Sequence, residues 1–110
     1  MMVPSKMKLD DQQDLTVRRA LIYWDERWDW ECPSLFGLSH EQYGIVVRSW
    51  PGKSDTHLLA ASAALRELLY GASALHDCEA VRAVLGADKA SVVTLLETLM
   101  GELDKRASCM

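Results

Sequence analysis

Apolar side chains recur every three or four residues over most of the chain, which is the spacing of one face of an α-helix. Leu and Ala together number 28, whereas Val and Ile number 10, and this bias favours helix over strand. Asn is absent and Gly is sparse, so the short turn signals of β-hairpins are missing. The pattern predicts an all-α fold, a compact single-domain bundle of four to five helices.

Two helices are predicted in the first half of the chain. The carboxylates of residues 10–14 favour a helix N-terminus. The apolar side chains that follow at helical spacing are Val17, Leu21, Trp24 and Trp28. This helix must end before Pro33, because proline disfavours helical conformation in the residue before it. Ser39 is predicted to cap the second helix, with Gln42 completing a capping box, and that helix ends at Pro51.

Three further helices are predicted in the second half. Asp55 is a suitable N-cap for the first of them, and Gly71 is a plausible stop. Its apolar face consists of Leu58, Leu59, Leu65, Leu68 and Leu69. A shorter helix over residues 77–85 is stopped by Gly86, and the last helix begins after Asp88.

The last helix carries an apolar stripe that has two interpretations. The stripe consists of Val92, Leu95, Leu96, Leu99 and Leu103. It resembles the a/d pattern of a dimerisation seam, but it covers fewer than two heptads. The short length favours packing inside the same bundle, and a homodimer through this helix is the alternative.

Residues 1–9, with Pro4 and Ser5, are expected to form a flexible N-terminus, and residues 10–110 a single helical domain. The N-terminal residues lack the apolar run of a secretory signal, and no apolar stretch approaches the roughly 18 residues that span a bilayer. An odd number of cysteines makes a poor disulfide framework, and free thiols are typical of a reducing compartment. These cysteines are Cys32, Cys78 and Cys109. We therefore expect a cytoplasmic protein that does not act at a membrane.

The net charge of −4 argues against a general nucleic-acid binder, which needs a basic patch to neutralise phosphates. Lys and Arg are scattered along this chain. An acidic protein suits a basic protein partner instead, because complementary charge speeds the encounter and rejects wrong partners.

Much of this charge lies in residues 23–31, which we call the acidic aromatic segment. It reads Tyr-Trp-Asp-Glu-Arg-Trp-Asp-Trp-Glu and contains three of the four tryptophans. Its four acidic residues and one basic residue contribute −3 of the total −4. If it is helical, Trp24 and Trp28 share a face; if it is extended, Trp30 joins them on one face. Both conformations leave carboxylates exposed beside large aromatic rings.

The segment combines a core prediction with a binding prediction. The helical spacing of Trp24 and Trp28 favours core positions for both rings. Trp30 follows an aspartate and precedes Glu31, a composition typical of an anchor with a polar rim in protein recognition. Tyr23 and Trp30 are the predicted anchors, and the carboxylates would pair with Lys or Arg of a partner. The predicted partner-binding residues are Tyr23, Asp25, Glu26, Asp29, Trp30 and Glu31.

Motifs of catalysis or metal binding are weak in this chain. The run His76-Asp77-Cys78-Glu79 lacks the ligand number and spacing of a zinc site. Cys78 and a histidine could in principle form a nucleophilic pair, but a structural thiol is the more ordinary interpretation. The glycines are isolated rather than arranged as a phosphate-binding loop. We predict that the protein is not an enzyme and holds no metal or cofactor.

Residues 28–51, from Trp28-Asp29-Trp30-Glu31-Cys32-Pro33 through Leu38-Ser39-His40-Glu41-Gln42-Tyr43 to Trp50-Pro51, resemble small bacterial proteins of the toxin-immunity type in size, acidity and character. The resemblance implies a cytosolic antitoxin that occupies the active site of its cognate toxin or a neighbouring surface. We therefore expect a non-catalytic inhibitor of a basic toxin domain, present as a monomer or a homodimer. The alternative is a helical adaptor or regulatory domain that homodimerises through its last helix.

Overall fold

The computed structural model describes residues 8–72 and 74–108. This part of the chain is all-helical and forms a single globule with six helices, one more than the upper end of the predicted range. The helices are α1 Asp11–Glu26, α2 Cys32–Phe36, α3 His40–Ser49, α4 Asp55–Tyr70, α5 Cys78–Leu85 and α6 Lys89–Ser108. Residues 1–7 of the predicted flexible N-terminus lie outside the described residues, and Leu9, the last residue of that range, is buried in the core.

The extra helix, α2, explains the miscount. Proline disfavours the preceding helical residue, so Pro33 was expected only to end a helix. Its fixed φ also suits the first turn of a new helix, where its missing N–H is not needed. In the structure Pro33 stands in the first turn of α2, and Gly37 ends that helix in the left-handed conformation with φ of 69°.

Several predicted helix boundaries are confirmed. Asp10 and Ser39 each form a complete capping box, the second with Gln42 as predicted. Asp77 caps α5, and Gly86 ends it with φ of 74°. Each of these signals lies within one helical turn of the backbone groups it satisfies, which is why the local sequence was sufficient to find it.

The helix α4 stops at Gly71 as predicted, and two other details of it differ from the prediction. Ser54, not Asp55, is the N-cap, and its hydroxyl accepts the backbone N–H of His57. Gly71 ends the helix with an extended backbone rather than in the left-handed conformation. Leu59, predicted on the apolar face, is 55% exposed. The other four predicted leucines are buried as expected: Leu58, Leu65, Leu68 and Leu69. Alanines share the core-facing positions with them, where close packing of α4 against its neighbours favours small side chains.

The centre of the molecule is a parallel pair, α1 and α4. Asp14 lies 4.0 Å from Lys53 just before α4 begins, and ten residues further along α1 the Trp24 indole Nε1 donates to Ala64 O at 3.1 Å. The two contacts advance in the same direction along both helices. The N-termini of α1 and α4 therefore lie at one end of the pair, and their C-termini lie at the other.

Neighbouring helices cover this pair. α3 runs antiparallel to α1, since its first residue, His40, contacts Asp25, whereas Trp50 at its other end donates to Asp14 O. α6 packs on α4, and its stripe residues Val92, Leu95, Leu96 and Leu99 are buried inside the chain, as the core interpretation predicted. A homodimer through α6 stays a prediction, and sedimentation at micromolar concentration is its test. Among the described helices, none is both long and apolar enough to cross a membrane.

Candidate functional site

The acidic aromatic segment is neither wholly helical nor extended. α1 ends at Glu26, and the chain then turns twice before α2 begins at Cys32. Asp29 organises the second turn, because its Oδ1 accepts the backbone N–H of Glu31 at 2.9 Å. The Cys32 thiol donates to the same oxygen at 3.4 Å. Burial raises the pKa of Cys32, so the thiol stays protonated and keeps this donor at neutral pH.

The turn separates the three tryptophans of the segment. Trp24 is buried and bonded to α4, as its helical spacing predicted. Trp28 is half-buried and stacks on the His40 ring, with centroids 4.8 Å apart and planes 6° apart. Trp30, at the tip of the turn, is 85% exposed. The third ring is therefore the one that folding leaves in water.

Beside Trp30 lies a cleft of about 260 Å³ at the C-terminal end of the α1–α4 pair. Its apolar wall includes Trp24, Trp30 and Leu35. Its polar lining includes three carboxylates: Asp29, Glu31 and Glu67. None of the described lining residues is basic. We call this feature the acidic cleft.

The helix ends make the acidic cleft more negative than the three side chains alone. The C-terminus of a helix carries a partial negative charge, which basic side chains in the last turn ordinarily offset. α3, α5 and α6 each have such residues in the last turn. Within the described part of the chain, the last turns of α1 and α4 contain no basic residue. At α1 the C-cap residue Arg27 donates to the Tyr23 carbonyl oxygen at 3.2 Å, which offsets part of that dipole. The dipole of α4 is therefore the one that reinforces the carboxylates at this end.

Glu67 takes its position because Gly71 has no side chain. A Cβ atom on Gly71 would lie 2.2 Å from Glu67 Oε1 and 2.8 Å from the Glu67 carbonyl oxygen. The carboxylate therefore folds back over the end of α4, where Arg66 Nε donates to its Oε2 at 3.3 Å. Glu67 was not predicted as a site residue, because it lies 36 residues beyond Glu31 along the chain and has no spacing that would connect it to the acidic aromatic segment.

The other predicted partner-binding residues lie outside the acidic cleft. Tyr23 is half-buried, and the Arg27 guanidinium lies over its ring at 3.9 Å from the centroid. Glu26 lies with them in a separate surface depression. Asp25 Oδ1 lies 3.0 Å from His40 Nε2, and both residues line a third surface depression. The structure thus brings Asp29, Trp30 and Glu31 together with Glu67, and it places Tyr23, Asp25 and Glu26 around them on neighbouring surfaces.

A serine–histidine arrangement elsewhere has a structural explanation. His57 Nε2 lies 2.7 Å from Ser49 Oγ, and its Nδ1 lies 2.6 Å from Ser54 Oγ. Ser49 Oγ donates to the backbone carbonyl of Ile45 at 2.7 Å, so it accepts from the histidine rather than giving up a proton to it. The network joins the end of α3 to the start of α4. Residues 8–72 and 74–108 contain no cluster of side chains suited to hold a metal ion.

Cys78 is exposed at the start of α5, and Cys109 lies outside the described residues.

Comparisons of the chain with models of protein families, with curated proteins and with solved structures found no match. The chemistry of the surface is therefore the basis for a functional proposal.

Proposed function

We propose that this protein is a non-catalytic inhibitor that binds a basic protein partner through the acidic aromatic segment, as an immunity protein neutralises a bacterial toxin. The observation that carries the proposal is the exposed Trp30 ring at the edge of the acidic cleft. Tryptophan is enriched among the residues that dominate binding energy, and it acts where a partner can remove the ring from water. Exposure of 85% leaves nearly the whole ring available to a partner.

The local electrostatics support a basic partner. Carboxylates that surround an aromatic anchor form the polar rim of an interface, attract Lys and Arg, and repel acidic surfaces. A nucleic-acid site would instead interleave aromatic rings with basic side chains. If the partner is a nuclease, the carboxylates of Asp29 and Glu31 would occupy the positions of substrate phosphates.

The turn that presents Trp30 is held in place before any partner arrives. Its hydrogen bonds from Glu31 and Cys32 to Asp29 Oδ1 limit the conformations of residues 29–32. A pre-ordered anchor loses less conformational entropy on binding, so more of its contact energy appears as affinity. This feature favours a dedicated binding role over a solvent-exposed ring with no partner.

Co-expression in a bacterial host is the direct test. The chain would be expressed with the variable C-terminal domain of the large secreted protein that we expect to be encoded directly upstream of its gene. Growth should be inhibited by that domain alone and restored by the wild-type chain. Failure of the wild-type chain to restore growth, or the absence of such a neighbouring gene, would contradict the proposal.

Two charge-matched variants make this test specific. The first neutralises the segment with Asp25→Asn, Glu26→Gln, Asp29→Asn and Glu31→Gln, and it should lose protection and the salt dependence of binding. Asn can replace Asp29 as the acceptor of the turn, so the fold should survive. The control removes four exposed charges elsewhere, by Glu41→Gln, Glu79→Gln, Glu97→Gln and Asp104→Asn. Equal protection by both variants, with circular dichroism showing both folded, would refute the role of the segment.

A further inference from the structure

We propose that the acidic cleft receives a single arginine side chain of the partner, with its guanidinium against the Trp30 ring and hydrogen-bonded to carboxylates of the cleft. This inference rests on the proposed function and specifies the chemistry of its binding site. It also assigns a binding role to Glu67, which lies on α4 outside the acidic aromatic segment.

The size of the cleft favours one side chain over a small-molecule ligand. Its volume is about 260 Å³. Pockets for drug-sized ligands and cofactors occupy about 300–1,000 Å³. The acidic cleft lies below this range, but it is deep enough for the buried rings of Trp24 and the side chain of Leu35 to form one wall. A partner side chain could enter while its backbone remains outside, against Trp30.

The charges require the occupant to be a cation. Asp29 and Glu31 approach from the turn, whereas Glu67 approaches from the end of α4. The C-terminus of α4 adds to the same negative potential. Glu67 lies in the last turn of α4, where a carboxylate is unfavourable for the isolated helix, whereas Asp29 and Glu31 precede the first turn of α2.

The distribution of acceptors and the aromatic wall favour arginine over lysine. A guanidinium is planar, carries five N–H donors in a fixed fork and stacks on aromatic faces. It can therefore bond to carboxylates on different sides of the cleft while it lies on Trp30. The intramolecular contact of Arg66 Nε with Glu67 Oε2 at 3.3 Å already shows this carboxylate bonded to a guanidinium. Arg66 is itself 45% exposed, so it can move aside or share the carboxylate.

The test uses a blocked tripeptide, acetyl-Gly-Arg-Gly-amide, titrated into the folded isotope-labelled protein and followed by NMR. The backbone amides of residues 29–35, except Pro33, and of residues 67–72 should shift, with a dissociation constant on the order of 1–10 mM, as expected for one side chain. The same peptide with lysine should bind more weakly. The peptide with citrulline, which is close in shape to arginine but uncharged, should not bind. Equal shifts with arginine and citrulline, or shifts confined to other surfaces, would overturn the inference.

Variants locate the site. Glu67→Gln should weaken binding of the arginine peptide about tenfold, because it removes a charge-assisted hydrogen bond. Trp30→Ala should weaken it about three- to fivefold, the size of an exposed cation–π contact. The matched controls are Glu41→Gln, an exposed carboxylate on α3, and Leu59→Ala, an exposed apolar side chain on α4; neither should change the affinity. If the controls weaken binding as much as the test variants do, the assignment to the cleft is wrong.

The outcome of the peptide titration is independent of the outcome of the co-expression test. If the segment variant loses protection in cells but the arginine peptide does not bind, the inhibitor proposal stands and the arginine assignment falls. If the arginine peptide binds in the cleft but the segment variant still protects, the cleft accepts the cation and the proposed role of the acidic aromatic segment in inhibition falls.

Discussion

The two ends of the α1–α4 pair contain the same types of residue in opposite roles. At the N-terminal end, Trp50 is 2% exposed and its Nε1 donates to Asp14 O at 3.2 Å. Two carboxylates there face cations: Arg106 Nη1 lies 2.8 Å from Asp55 Oδ1, and Lys53 Nζ lies 4.0 Å from Asp14 Oδ1, too far for a hydrogen bond. At the C-terminal end, Trp30 is in water, and among the described residues of the acidic cleft Glu67 has a cation beside it, Arg66 at 3.3 Å, whereas Asp29 and Glu31 have none within 4.0 Å.

The difference follows from the direction of the helix dipoles. Carboxylates near a helix N-terminus are stabilised by its partial positive charge, which explains Asp11, Asp14 and Asp55 without any function. The same charge on Glu67, in the last turn of α4, opposes the dipole. Residue composition alone therefore does not tell whether a carboxylate is stabilised or opposed by a helix dipole; the end of the helix at which it lies does.

The largest expected effect separates the two tryptophans. Trp50→Ala should lower the free energy of unfolding by about 3–5 kcal/mol, because it leaves a cavity in the core. Trp30→Ala should change it by less than about 0.5 kcal/mol, since the ring makes little buried contact. Chemical denaturation followed by circular dichroism measures both. A comparable loss in the two variants would show that Trp30 is structural and would remove the contrast between the ends.

A second pair of variants compares arginines. Arg106 donates to Glu102, Asp55 and the carbonyl oxygen of Lys53, and Glu102 is 4% exposed. Arg106→Ala should cost about 2 kcal/mol of stability, as for hydrogen bonds to charged groups. Arg66→Ala breaks a single contact, with Glu67, whose side chain is 16% exposed against 45% for Arg66, and should cost less than about 1 kcal/mol. Thermal unfolding of the two variants under the same conditions is the measurement, and equal losses would contradict the difference in pairing.

A third pair of variants, at Asp55 and Glu67, measures the effect of the helix dipole on stability at the two ends of α4. Asp55→Asn should lose about 1 kcal/mol, since Asp55 interacts with both the N-terminus of α4 and Arg106. Glu67→Gln should leave stability unchanged or raise it by up to about 0.5 kcal/mol, because it removes a negative charge from the C-terminus of the same helix. Urea unfolding at low ionic strength would reveal the opposite signs. A clear loss in Glu67→Gln would mean that this carboxylate is needed for folding.

The last prediction concerns the reactivity of the Cys32 thiol, which reports on the stability of the turn that carries Trp30. Burial raises the pKa of Cys32, which lowers its thiolate fraction at any pH below that pKa. Cys78 is exposed and should react with iodoacetamide much faster than Cys32 at pH 8. Raising the pH further should increase the rate at Cys32. Peptide mapping by mass spectrometry distinguishes the two sites; rapid labelling of Cys32 in the folded protein would show that the turn opens readily.

Local signals accounted for most of the predicted helices. A capping box such as that of Ser39 and Gln42 satisfies backbone groups within one turn, and apolar spacing in α4 and α6 reflects the period of the helix itself. Errors arose where two local effects competed. Pro33 ends one helical possibility and begins another, so α2 was missed, and the position of Leu59 depends on which face of α4 its neighbours cover.

The sequence by itself determined the all-helical class, the helix ends marked by caps, and the concentration of charge and tryptophan in residues 23–31. Only the tertiary structure decided which tryptophan stays in water and which carboxylates meet. Glu67 joins Asp29 and Glu31 because α1 and α4 pack in parallel, with Trp24 bonded to Ala64 between them. Such contacts depend on the relative direction of helices far apart in the chain, and hydrophobic spacing within either helix carries no information about that direction.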